Sequence, residues 1–99
     1  MLESFTADTF SGLLGQAFGV RSGQDTTMTM ELIAVDEHDR SRREGSGRAP
    51  FSLEFRGPAV PILLQAIYTF RHDDLGEFDI FIVPIGPDPE GMRYEAVFG

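Results

Sequence analysis

The chain has 99 residues, 41% of them hydrophobic and nine of them Phe, which is the length and composition of one globular domain with a single modest core rather than of a disordered chain. It has no Cys, so disulfides, thiolate nucleophiles and Cys-based zinc sites are excluded. Its formal net charge of −8, with Arg as the only strong cation, argues against a nucleic-acid partner, and no apolar run approaches the ~20 residues of a membrane span.

The N-terminal Met-Leu-Glu-Ser-Phe-Thr carries neither a basic region nor a long apolar region, so no signal peptide is expected. With the lack of Cys, this fits a cytoplasmic protein. Residues 1–15 read as a short helix, because Phe10, Leu13, Leu14 and Ala17 follow helical spacing. Thr6 is the expected N-cap, Asp8 suits the first turn, and Gly15 is placed to end the helix. Such a helix cannot stand alone in water and should lie across a sheet, plugging an open end.

Residues 16–22 form the first expected strand, with Phe18 and Val20 on one face, followed by a turn at 22–25. The second covers 26–35, where Met28, Met30 and Leu32 alternate with Thr27, Thr29 and Glu31. The apolar side shifts at Ile33 and Val35, which predicts a bulge. Residues 36–50 contain no large apolar side chain and read as a mobile polar loop rich in Arg. Phe51, Leu53 and Phe55 point inward on a third strand, 51–56, with Ser52, Glu54 and Arg56 outward. Pro58 and Pro61 then make a fixed, non-pairing corner.

A fourth strand is expected within 62–72, most clearly from Ala66, and a hairpin turn at 73–76 leads to the fifth, 77–86. This fifth strand is the most apolar run of the chain. Phe78, Ile80 and Ile82 share one face, and Phe81, Val83 and Ile85 make the later part of the other face apolar too. Its expected neighbours are the strands before and after it, with its later half covered. Residues 86–91 read as a proline-stiffened turn, and 92–98 as the last strand, with Met92, Tyr94, Ala96 and Phe98 inward. Tyr68 and Tyr94 are expected as core aromatics with hydroxyls at the rim. The expected fold is therefore all-β: a small six-stranded antiparallel barrel or sandwich with one short N-terminal helix.

The segments Phe51-Ser-Leu-Glu-Phe-Arg-Gly-Pro58, the run from Tyr68 through Pro87, and Arg93-Tyr-Glu-Ala-Val-Phe98 resemble a small family of uncharacterised bacterial domains. Phe10-x-x-Leu-x-Gly-Gln-x-Phe18 is similar as well. The resemblance covers nearly the whole chain. It implies an all-β domain of this size and a setting near phage-tail-collar-like proteins, and it brings no activity with it.

No nucleophile elbow, P-loop or dinucleotide fingerprint is present, so no catalytic residue, cofactor or metal is assigned. His38 beside Glu37 and Asp39, and His72 before Asp73 and Asp74, lack a metal-ligand spacing and read as turn residues. Asp73, Asp74, Glu77 and Asp79 form an acidic hairpin that keeps an edge soluble. Arg40, Arg42, Arg43 and Arg48 are offset by the acids among them. Arg56 either holds a partner's carboxylate or pairs with an acid on a neighbouring strand. The leading expectation is a non-catalytic structural or protein-interaction domain, with Phe81, Val83, Ile85 and Arg56 as interaction residues. A protein partner or self-association, with a homodimer the expected form, would cover them. The alternative is a small-molecule-binding β-barrel with an aromatic cavity.

Overall fold

Alternation of apolar and polar residues builds one continuous antiparallel sheet that curls until its ends meet. The structure, a computed structural model, describes residues 5–22, 27–37 and 50–98. One helix and six strands follow in order: α1 (Ala7–Ser11), β1 (Ala17–Arg21), β2 (Thr27–Glu37), β3 (Phe51–Gly57), β4 (Ala66–His72), β5 (Gly76–Asp88) and β6 (Gly91–Phe98). The strands close into a barrel in the order β1-β2-β3-β6-β5-β4. Of barrel and sandwich, the chain adopts the barrel, and β5 lies between β4 and β6 as its sequence predicts.

The inward set is the one that alternation marks. Phe18, Val20, Met30, Leu32, Phe51, Phe55, Phe70, Ile82 and Tyr94 are fully buried. Eight of the nine Phe are buried, and Phe81 is the exception. Rings of Phe18 and Phe55 meet edge-on at 5.3 Å, Phe55 and Phe70 lie 4.9 Å apart, and Phe70 and Phe78 6.2 Å apart. A ring of six strands is narrower than the eight-stranded barrels whose interior side chains just fill. These aromatics occupy the lumen as core.

The helix is shorter than the spacing predicts. Thr6 caps it as expected, its hydroxyl accepting from the Thr9 backbone N–H while the Thr9 hydroxyl accepts from that of Thr6. It ends at Gly12, not Gly15, and Gly15 serves the following turn at φ 84°. There Gly15 donates to the Leu32 carbonyl, and Leu32 donates to that of Gln16. The turn is thus fixed onto β2, and Leu14 and Ala17 are exposed rather than buried. Phe10 does plug the barrel, with Phe51, Phe78 and Phe98 within 6.3 Å.

At the opposite end, residues 58–65 must pass β6 and β5 to carry the chain from β3 to β4. This crossover drops Leu63 into the barrel mouth, where its N–H donates to the Tyr94 hydroxyl at 2.9 Å. The Tyr68 hydroxyl donates to the Leu64 carbonyl. Tyr94 is thus the expected core aromatic with its hydroxyl at the rim, whereas Tyr68 is only half-buried and packs at the core's edge.

Four sequence expectations change. β2 runs on to Glu37 and bulges at Ile33, where the register with β3 shifts between Leu32 and Ala34. The bulge was expected and the extra length was not. Ser52, placed outward by alternation, is 96% buried. β5 continues through Pro87 to Asp88, so 86–88 are strand and the turn is confined to Pro89 and Glu90. Pro84 and Pro87 are tolerated because β4 pairs no further along β5 than Ile82, leaving a free side on which a missing N–H costs nothing. Ile85 is the bulged residue, followed by Gly86 at φ 123°. Fourth, the later half of β5 is not covered from outside: Phe81 is 50% and Ile85 37% exposed. The turn expected at 22–25 and the Arg-rich loop with His38 fall largely outside the described residues.

Candidate functional site

Three surface regions carry the residues that the sequence singles out. The first joins the end of β3 to the β5–β6 turn. Arg56 Nε and Nη2 both donate to Asp88 Oδ2, at 2.8 and 2.7 Å, and Nη1 lies 3.1 Å from Glu90 Oε1. Asp88 Oδ1 accepts the Glu90 backbone N–H at 2.8 Å. Arg93 pairs with Glu54 at 3.1 Å on the adjacent rung. Arg56 therefore binds acids of its own chain, as the second reading expects, but on the end of β5 and its turn beyond the intervening β6 rather than on a neighbouring strand, and so fastens a turn.

The hydrogen bond from Arg56 holds the Asp88 carboxyl below the usual carboxylate range. The Glu90 and Gly91 backbone groups and the Arg56 charge add to this, and burial opposes it. A carboxyl with a depressed folded-state pKa stabilises the fold above its unfolded value of ~3.9, and that contribution disappears as pH falls through the lower folded value. Asp88→Asn is expected to be less stable than the native chain at neutral pH. The gap should close as the pH is taken from about 5 to 2, which urea midpoints across that range would measure.

The second region is a polar groove of about 550 Å³ outside β1. Its floor is Gly19, and Gln16, Thr29, Arg71, His72 and Asp74 stand around it. His72, at the end of β4, is 94% buried and packs against Phe18 at 4.8 Å. Its Nδ1 accepts the Asp74 backbone N–H at 3.1 Å, so its Nε2 donates to Gln16 Oε1 at 2.7 Å. Both ring nitrogens are engaged in tying the β4–β5 turn to the α1–β1 turn. His72 has no free nitrogen with which to take a substrate proton. The acidic hairpin is partly satisfied too: Asp79 Oδ1 accepts the Thr69 hydroxyl at 2.7 Å, and Glu77 lies 3.9 Å from Arg21.

The third region is the outer face of β4, β5 and β6. Ile67 and Phe81 are cross-strand partners. Val97 faces outward beside them on β6, and the three are 66%, 50% and 67% exposed. Between Phe81 and Val97 runs an apolar groove of about 310 Å³, with Ile80 and Ala96 beneath and Asp79 at its rim. Val83 is half-buried. Sequence reasoning found Phe81, Val83 and Ile85 but missed Ile67 and Val97. Each of those is a single apolar residue on the polar face of its own strand, and only the ladder brings them together. At the crossover end, Val60, Ile62 and Leu64 are also exposed.

The geometry of the described residues defines a small closed antiparallel β-barrel with a packed lumen, internal ion pairs on its surface, an apolar outer face on β4, β5 and β6, and exposed apolar residues at the crossover. The chain belongs to the family described as domain of unknown function DUF6916, whose model matches residues 5–98. Neither the curated proteins nor the solved structures yield a match to it. Among the described residues, no helix is long and apolar enough to cross a membrane.

Proposed function

We propose that this chain is a non-catalytic structural or protein-interaction domain that docks through the outer face of β4, β5 and β6. The observation that carries this reading is Phe81, the one Phe turned outward, set in a row with Ile67 and Val97. A soluble chain gains nothing by holding a large ring in water, and each of these side chains gains roughly 1–2 kcal/mol when a partner covers it. The engagement of both His72 nitrogens and the internal pairing of Arg56 support the absence of catalysis. The contacting rings of Phe18, Phe55, Phe70 and Phe78 weigh against the small-molecule-binding barrel. On the sequence resemblance we place it as a bacterial protein accessory to a phage-tail-like assembly, and on its lack of Cys in the cytoplasm.

Self-association and a separate protein partner both use this face. Light scattering of the purified chain over a concentration series, paired with pull-down from the source cell, tests the reading. Phe81→Asp is expected to weaken the association at least tenfold while leaving the melting temperature within a few degrees, since it alters an exposed strand position. A native chain that stays monomeric and captures nothing, or an association indifferent to Phe81→Asp, would overturn it.

A further inference from the structure

Gly19 is a glycine that the fold does not ask for. It sits in the middle of β1, in register with Thr29 of β2 on one side and Arg71 of β4 on the other. No bulge interrupts β1 there, unlike β2 at Ile33 and β5 at Ile85. Its φ lies outside the left-handed range that favours glycine. Among the described residues, a Cβ at Gly19 would make only ordinary contacts, with Arg71 Cβ at 3.9 Å and the Arg71 carbonyl oxygen at 4.0 Å. At Gly57 and Gly91, by contrast, a Cβ would crowd Met30 and the Gly57 backbone. Glycine inside a strand weakens it, and where no bulge or crowded neighbour requires it, it marks a place where another body comes close. Over Gly19 lies the open polar groove of about 550 Å³.

The groups around this floor have bonding capacity left over. Arg21, Arg56 and Arg93 each stand beside an acid. Glu77 is the cross-strand partner of Arg71, yet it lies beside Arg21, and Arg71 has no acid partner among the described residues. Gln16 gives Oε1 to His72, which leaves both Nε2 hydrogens for another acceptor. Thr29 adds an exposed hydroxyl. Asp73 and Asp74, from the β4–β5 turn, line the same groove.

We propose that this groove binds a small zwitterion of the amino-acid class. Its carboxylate takes the Arg71 fork, with Gln16 Nε2 and the Thr29 hydroxyl beside it, its ammonium faces Asp73 and Asp74, and its body rests on the bare backbone at Gly19. One guanidinium matches one carboxylate. A phosphate would bring more charge than Arg71 offsets, beside two aspartates on a chain of −8. The site lies on the outside of β1, so the packed lumen does not bear on it. With both His72 nitrogens engaged, it binds without turning its ligand over.

Amide NMR titration of the full chain tests this with L-alanine, L-serine, L-glutamine and L-phenylalanine, each against its own deaminated acid and decarboxylated amine. At least one amino acid should move the signals of Gly19, Thr29 and Asp74 at millimolar concentration and bind at least tenfold more tightly than its acid and its amine. Arg71→Met should weaken that binding at least tenfold and leave the melting temperature unchanged, since Arg71 is exposed. Gly19→Val should weaken it as much while melting no lower than the native chain, because a β-branched side chain suits a strand. A Gly19→Val chain that melts lower or fails to fold would show that the barrel itself needs the glycine, and would overturn the inference. So would amino acids that leave those signals in place, an acid or amine that binds as well as its parent, or native affinity in Arg71→Met.

Discussion

Phe18→Ala is expected to cost about 3–5 kcal/mol. Phe18 is fully buried and touches Phe55 at 5.3 Å, Phe78 at 6.4 Å and the His72 ring at 4.8 Å. Its removal leaves a void whose walls are parts of a closed sheet, and a closed sheet cannot collapse inward without breaking ladder hydrogen bonds. Domains of this size are stable by only about 5–15 kcal/mol, so the variant approaches the limit of folding. For a 60–100-residue domain the loss corresponds to a fall in melting temperature of roughly 12–40 °C. The same measurement judges the lumen. A loss below about 1 kcal/mol would mean that the interior is loosely filled, and the ligand-binding barrel would return as a serious reading.

The rings that make this expectation large were legible in the sequence. Period-two alternation names Phe18 and Val20, Met28 to Leu32, and Phe51 to Phe55 as inward faces, because a strand with one buried face permits only one register. The bulge at Ile33 was legible for the same reason, since the apolar side visibly changes there. What the sequence does not carry is which strands become neighbours. That β3 lies beside β6 follows from closure and from the crossover at 58–65, and no local pattern encodes it. Two consequences were therefore hidden. Arg56 finds its acids at the end of β5 and on the β5–β6 turn, and Ile67 and Val97 join Phe81 on one face. The shortened helix has a different cause. The apolar spacing continues through Leu13 and Leu14, but the Gly15–Leu32 and Leu32–Gln16 backbone bonds claim that stretch for the sheet. Tertiary hydrogen bonds outweigh the weak propensity of a five-residue helix.

The contact between β3 and β6 that the sequence could not announce is also where one methyl group should do the most harm. Gly91 is buried at the start of β6, and a Cβ there would run into the carbonyl oxygen of Gly57, with Arg56 Cγ at 3.2 Å and Gly57 C at 3.4 Å. The obstacle is backbone, so it can yield only if the two strands separate. Separation would also loosen the grip of Arg56 on Asp88, three residues before Gly91. Gly91→Ala is expected to cost more than about 3 kcal/mol, beyond ordinary overpacking. Gly57→Ala makes the control on the facing strand. The three atoms its Cβ would meet first all belong to the Met30 side chain, with Cγ at 3.1 Å and Cε at 3.3 Å. Met has three rotatable bonds and can turn aside, so this variant should lose about 1 kcal/mol or less. Urea denaturation of both variants with a shared slope would show the contrast in their midpoints. Equal losses, or a Gly91→Ala midpoint close to the native one, would mean that β3 and β6 do not approach as closely as the Gly57↔Met92 register requires, and the closed ring would have to be redrawn at that seam.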